Sequence, residues 1–512
     1  MFLGIDVGTT AVKVVLYDES FKPIALGLKE YNLLTPSQDI VETDTETYWL
    51  SLKYALKQIK TKLEVNLLKI DALSISSQGC SFVVIDKEGR PLRNTIVWLD
   101  NRAKLEAKLI RKEFNPDNVY RTTGCPDVDP CWSATKLYWI KRNEPNIFKK
   151  INKVLLLEDY LIYRLTGKFI GNGSMYCETL LYDINKHCWW DEMLNFIGLK
   201  ETQLPELYPS GIKIGAIKNV VSRELEIYCE NVVTGGEDQA CGCIGTGNVE
   251  SGKVSENTGS AINLTITTDK PLFNSKVRMP CFVHVVEGKY ILVPWNKTGG
   301  IILKWFRDNF GKDYIDEAES KGLNSYALMD KDTSNIPPGS NGVVLLPFFD
   351  GSISPEMDEN AKGVLYGLNL STTRGHIIRS ILESVAYMLR SNIEEVEKVG
   401  IKINEIISSG GASKSELWNQ IKADVLVKKI ITVKNQNSSC LGAAILAGFG
   451  CGFFKTIKEA CDLIIKIDKK YMPDKRNKSI YNGYYKIYKG IYKSLKPVFA
   501  RSSSLFNNSN TK

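Results

Sequence analysis

Asp6 ends an apolar run, Phe2-Leu3-Gly4-Ile5, and is followed by Val7-Gly8-Thr9-Thr10 before a second apolar run from Val12 to Tyr17. This pattern predicts a β-hairpin with a polar, glycine-bearing tip. Such a tip can offer backbone N–H groups and hydroxyls to phosphate oxygens, and Asp6 can hold a hydrated Mg²⁺. The same residues also suit a plain hairpin whose threonines satisfy the turn. Asp238 follows Gly235-Gly236-Glu237, where two glycines allow a sharp turn that presents a carboxylate at a strand end. That carboxylate could take the proton of a hydroxyl as its oxygen attacks phosphorus. The alternative use is an N-cap for a helix beginning near Gln239. A third stretch, Ser408-Ser409-Gly410-Gly411-Ala412, puts consecutive glycines between a strand and a helix. Either a ligand approaches the backbone closely there, at a helix N-terminus that suits anions, or the turn is merely tight.

The elements that must position these residues alternate between strand and helix, which predicts a mixed α/β architecture. After the hairpin come a third strand at 24–28 and a helix from about 45 to 63, with Asp44 as its N-cap and apolar residues at Tyr48, Leu52, Ala55 and Ile59. Strands follow at 72–76 and 82–86, and helices at 101–113, 133–142 and 158–166, the last closing on Gly167. A short strand at 232–234 leads into the Asp238 turn. The stretch 254–264 again reads strand, polar glycine turn, strand, which suggests a duplicated fold. The main boundary is therefore placed at 245/246, with residues 1–245 as one domain, 246–500 as a second and 501–512 as a polar, frayed tail. A long helix is expected over 371–399, and the stretch 441–448 reads as a close-packing helix of small residues. Tyr481, Tyr484, Tyr485, Tyr488, Tyr492 and Leu495 mark one core-facing helical stripe.

Composition narrows the class. At 512 residues the chain is long enough for two or more domains. Its formal charge of +8 is dispersed, with no run of five like charges, and suits anionic small molecules better than nucleic acid. None of the twelve cysteines forms a C-x-x-C pair, so neither a zinc site nor a disulfide framework is indicated. No signal-like or membrane-spanning run is present, and a reduced, cytoplasmic protein is expected. The three histidines, His187, His284 and His376, lie far apart and pair with no nucleophile in a local signature.

Together these pieces resemble the FGGY carbohydrate kinases, of the superfamily that includes actin and the heat-shock chaperone ATPases. The resemblance runs from Gly4-Ile5-Asp6-Val7-Gly8-Thr9-Thr10 through Ile96-Val97-Trp98-Leu99-Asp100-Asn101-Arg102, Ser133-Ala134-Thr135-Lys136-Leu137 and Gly235-Gly236-Glu237-Asp238-Gln239. It continues through Thr373-Arg374-Gly375-His376 with Glu383, then Gly410-Gly411-Ala412-Ser413-Lys414-Ser415 with Trp418, Gln420 and Asp424, to Gly442-Ala443-Ala444. It implies an α/β fold of two ribonuclease-H-like (actin-like ATPase) domains flanking a central cleft, with sugar deep inside and ATP mainly on the second domain. Asp6 would help hold Mg²⁺, Thr9, Thr10 and Lys13 would face the transferring phosphate, and Asp238 would be the general base. Thr258 and Gly259 would form a second phosphate loop, and Gly300, Gly411 and Ser415 would contact the nucleotide.

Two departures bear on the acceptor. Glycerol kinases carry an Arg-Glu pair, and bacterial xylulokinases a Met-His pair, where this chain has Gly79-Cys80 after Gln78. An aromatic typical of glycerol kinases is replaced by Cys131. Gln78, Trp98, Asp100 and Gln239 are left as sugar-contacting candidates. The expected reaction is ATP-dependent phosphorylation of a sugar or polyol hydroxyl, with a ketopentose as acceptor, as in xylulokinases. The alternatives are a glycerol-type kinase with an altered pocket, an actin-like or chaperone-like ATPase switch, or a degenerate sugar-binding regulator. Expected partners are a small sugar or polyol, with no nucleic acid and no membrane; a homodimer is the oligomeric state to test.

Overall fold

The computed structural model describes residues 1–435 and 437–509. Strands β1 (Phe2–Val7), β2 (Ala11–Tyr17) and β3 (Pro23–Glu30) form an antiparallel meander. Helix α1 (Glu46–Leu63) packs on β3 and β2 through Tyr48, Leu52, Ala55 and Ile59. Its N-cap is Thr45, one residue later than expected, although the Asp44 carboxylate still accepts the Glu46 N–H at 3.1 Å. Strand β4 (Ala72–Ser77) runs parallel to β1, and β5 (Val232–Glu237) runs parallel to β4. The sheet order is Lys213–Gly215, β5, β4, β1, β2, β3. Helix α2 (Asp238–Thr246) leaves directly from the end of β5.

These elements belong to one compact unit, made of Met1–Ser251, Thr267–Leu292 and Asn437–Ile465. The chain therefore leaves this unit at Gly252 and returns to it twice. The second return is the Ser438–Gly450 helix, which packs on β1, β4 and α2. Apolar nearly all round, it is buried from Cys440 to Gly448. A Cβ on Gly442 would collide with the carbonyl of Cys241, and one on Gly4 with the carbonyl of Cys440. Small residues here allow backbone to touch backbone, so the packing expected for 441–448 is what the helix does.

The second unit comprises Gly252–Ile266, Val293–Gln436 and Lys466–Lys512. Strands β6 (Val254–Thr258) and β7 (Ile262–Thr268) form an antiparallel hairpin. Helix α3 (Arg374–Lys398) is capped by Thr373 and His376 reciprocally. Strand β8 (Glu405–Ser409) lies parallel to β6, helix α4 (Glu416–Leu426) follows, and β9 (Lys429–Val433) lies parallel to β8. Strand β10 (Ile467–Tyr471) closes the edge antiparallel to β9. Both units thus repeat one plan, a hairpin whose first strand continues into parallel neighbours, and the second polar hairpin of the sequence is the start of that repeat. The last helix, α5 (Lys478–Ser509), buries Tyr481, Tyr485 and Tyr488 against Tyr387 of α3. It continues to Ser509 where a frayed tail is expected; 510–512 lie outside the described residues.

Candidate active site

Parallel pairing decides where the two key aspartates sit. Asp6 is in register with Ser76 of β4, and Ser76 with Gly236 of β5. Three strands therefore end together, and Asp6 and Asp238 emerge on the same carboxyl edge, the usual place for ligands in α/β sheets. Asp6 accepts a 3.3 Å hydrogen bond from Ser76 Oγ. Loss of hydration, then the nearby charge of Asp238, lifts the Asp6 carboxyl to about 7, against a lowering by Lys13. Lys13 is the direct cross-strand partner of Asp6 and so shares its face.

Asp238 is the first residue of α2 but not its cap. The Glu237 carboxylate caps the helix, accepting from Ala240 N at 2.9 Å. Asp238 is half-buried, and Gln239 Nε2 donates to its Oδ1 at 2.8 Å. Burial raises the Asp238 carboxyl, while hydrogen bonds from Glu237 and Gln239 oppose the rise. Glu237 is pushed well above the usual range by burial, Asp238 and Glu178.

Glu178 was missed by sequence reasoning. It is half-buried, and burial together with Asp238 raises it to about 8. It lies just past a four-residue helix, Gly173–Tyr176, and no local motif announces it. The only sequence signal was indirect: the missing side chain at Gly79, beside which it lies.

The first turn closes with Gly8 N donating to Ala11 O at 3.0 Å. Gly8 O accepts Tyr31 Oη at 2.5 Å and Gln78 Nε2 at 3.1 Å. Thr9 Oγ1 accepts the Trp98 indole N–H at 3.0 Å, and Thr10 is exposed. Of the acceptor candidates, Trp98 and Gln239 are half-buried, whereas Gln78 is 3% and Asp100 0% exposed. Gln78 braces the turn. Asp100 is bound bidentately by Arg102 and accepts Val41 N at 2.7 Å, so its carboxylate braces the Trp98 loop. Beneath that loop, the fully buried Lys136 donates to the carbonyls of Val97 at 2.9 Å and Trp98 at 3.2 Å.

In the second unit, Gly300 N donates to Gly259 O at 2.8 Å, and β6 and β8 end side by side at Asn257 and Ser409. Gly259, Gly300 and Gly411 are thereby brought to one end of the sheet. Gly410 adopts a left-handed φ of 78°, where a side chain would strike Asn257, and nothing lies within 4 Å of a side chain at Gly411. Ser415 caps α4 by accepting Trp418 N at 3.0 Å. Thr258 is turned inward: its hydroxyl donates to Glu256 at 2.6 Å, and Glu256 is paired with the fully buried Lys422. The inner pair holds the second turn; sequence reasoning missed it, because a lone Glu and Lys 166 residues apart form no motif.

Residues 1–245 match the FGGY family of carbohydrate kinases, N-terminal domain, and residues 254–451 match the C-terminal domain of that family. The chain belongs to the FGGY family of carbohydrate kinases, enzymes that phosphorylate sugar hydroxyls with ATP. It is 29% identical to the xylulose kinase of Bacillus subtilis (strain 168) over 488 residues, covering 95% of each chain. It is 28% identical over 464 residues to the gluconokinase of the same organism, covering 90% of each. The ligand-bound xylulose kinase from Lactobacillus acidophilus superimposes with a TM-score of 0.89 at 26% identity, covering 98% of this chain and 99% of that one. The two-domain actin-like ATPase fold is thereby established. Among the described residues no helix is long and apolar enough to cross a membrane.

Proposed function

We propose that the protein transfers the terminal phosphoryl group of ATP to a hydroxyl of a ketopentose such as xylulose. The observation that carries this reading is the shared carboxyl edge of β1, β4 and β5, where Asp6 and Asp238 meet. Asp238 acts as general base. Gln239 fixes one of its oxygens, and its raised pKa makes it a better proton acceptor near neutral pH than an ordinary aspartate. Thr9, Thr10 and Lys13 bind the transferring phosphate. Gly259, Gly300, Gly411 and Ser415 serve the nucleotide with groups gathered at turns and a helix start, while Thr258 holds the second turn from behind through Glu256. Trp98 and Gln239 contact the sugar, with Gln78 and Asp100 acting from behind.

A divalent cation fits the donor set. The charge of Asp238 raises the cost of ionising Asp6, and a cation relieves that repulsion. Mg²⁺ usually binds through one or two carboxylates plus waters and phosphates, which a single well-placed Asp6 satisfies. When bound, Mg²⁺ supplies charge neutralisation for the phosphates.

The test is ADP release across pentuloses, hexuloses and polyols, with Asp238→Asn as partner variant. A ketopentose should give the highest kcat/KM, and the variant should lose about 10²–10⁴-fold in kcat while calorimetry finds ATP binding unchanged. Unaltered turnover in the variant removes Asp238 from the role of base. ADP release independent of any sugar points instead to an ATPase switch.

A further inference from the structure

The loop after β4 carries no side chain at Gly79, and the space that such a side chain would enter is filled. A Cβ built there would collide with Oε2 of Glu178. Three observations tie Glu178 to that place. The Cys80 thiol donates to the Glu178 carbonyl at 2.8 Å and approaches its Oε2 at 3.9 Å. Cys80 itself holds a left-handed φ of 60°, a strained conformation for a residue with a Cβ. Ser133, at the start of the Ser133–Asn143 helix, receives the loop by donating to Cys80 O at 2.9 Å. The loop is thus locked in the shape that brings Gly79 against the carboxyl of Glu178, and the charge of Asp238 acts on that carboxyl.

The charges around this position share one sign. Glu178 is acted on by Asp238, Glu237 by Asp238 and Glu178, and Asp6 by Asp238. Loss of hydration raises all of them, so an added negative charge is doubly unfavourable: it repels the carboxylates already ionised and finds little water to screen it. A hydroxyl, in contrast, can donate to an ionised Glu178 or accept from a protonated one.

We infer that Glu178, seated against the side-chain-free Gly79, is the specificity-determining residue of the acceptor pocket, selecting an uncharged polyhydroxy acceptor and rejecting sugar acids. This rests on the kinase reading above and deepens it, because the chain is similar both to a xylulose kinase and to a gluconokinase, whose named acceptors differ in charge. Glu178 acts by binding the acceptor and takes no part in the proton transfer assigned to Asp238. Gly79 supports it by leaving room.

The experiment measures kcat/KM of the full chain for xylulose and for gluconate, in the natural protein and in Glu178→Gln and Gly79→Ala, with thermal melting as a check on folding. The natural protein should prefer xylulose by at least about 100-fold. Glu178→Gln keeps the size of the side chain and removes its ability to ionise, so at a pH above about 8, where Glu178 carries its charge, it should narrow that ratio at least about tenfold, mainly through KM. Gly79→Ala displaces Glu178 and should narrow it in the same direction. If the natural protein turns over xylulose but the ratio stays within twofold in both folded variants, Glu178 does not set specificity and the kinase reading stands. A natural protein that prefers gluconate overturns the inference outright. If no sugar supports ADP release, the kinase reading itself fails and this inference falls with it. Should either variant not fold, the other carries the comparison.

Discussion

At Asp238 the residue next door does the structural work. Glu237 caps α2, so the Asp238 carboxylate is not tied to the helix and stays half-buried beside Glu178 and Asp6. Crowding carboxyls has a cost with a definite sign. A carboxyl whose folded pKa is raised favours the folded state below its unfolded value, and that contribution disappears as pH rises through the folded value. Asp6 and Asp159 at about 7, and Glu178 and Glu158 at about 8, all act this way. His284, buried and lowered to about 4, acts oppositely by losing stability as pH falls, but it is one group against four. Between pH 5 and 8 the ligand-free protein should therefore melt at falling temperature while kcat/KM rises along an acid limb centred near 7. Melting curves and a rate profile over the same buffers check this, and a melting temperature that rises across the range would contradict it. Much of this scale was legible beforehand: Asp6, Asp238 and the glycines declared themselves through local motifs. Glu178 did not, because its importance depends on what faces it.

At the scale of elements, the Ser438–Gly450 helix makes the sharpest case. Its glycine at 442 presses on the backbone of α2, so Gly442→Ala has no space to expand into. The expected cost is about 1–3 kcal/mol, seen as a lower denaturation midpoint. Gly483 lies within α5 with open space around it. Gly483→Ala should raise stability by about 0.5–1 kcal/mol through helix propensity alone. Opposite signs from the same chemical change would confirm that backbone approach, not composition, sets the effect. Small residues marked this helix, and periodicity placed several others, to within a few residues. Asp44 lost its capping position by one residue, and Asp100 was read as a sugar contact when Arg102, two residues on, closes over it. Both are local competitions that residue types leave open.

At the scale of the molecule, chain connectivity and compactness part company. The helix that covers β1 and β4 lies more than 430 residues beyond β1 in sequence, yet belongs to the same unit. A fragment ending at Thr246 should therefore fail to fold alone, since β1 and β4 lose their apolar cover. Weak dispersion in circular dichroism and rapid proteolysis are the expected results; a cooperative thermal transition would refute the claim.

Sequence alone determined the two polar hairpins, the glycine turns, the alternation of strands and helices, and through them the family. Those features depend on neighbours within a few residues, where propensity, turn chemistry and hydrophobic period act directly. Only the tertiary structure decided that Asp6 meets Asp238 across Ser76, that Glu178 fills the space at Gly79, and that residues 437–465 complete the first unit. These depend on strand register and on burial between segments far apart in the chain, and no local pattern encodes which distant carboxyl will share a site.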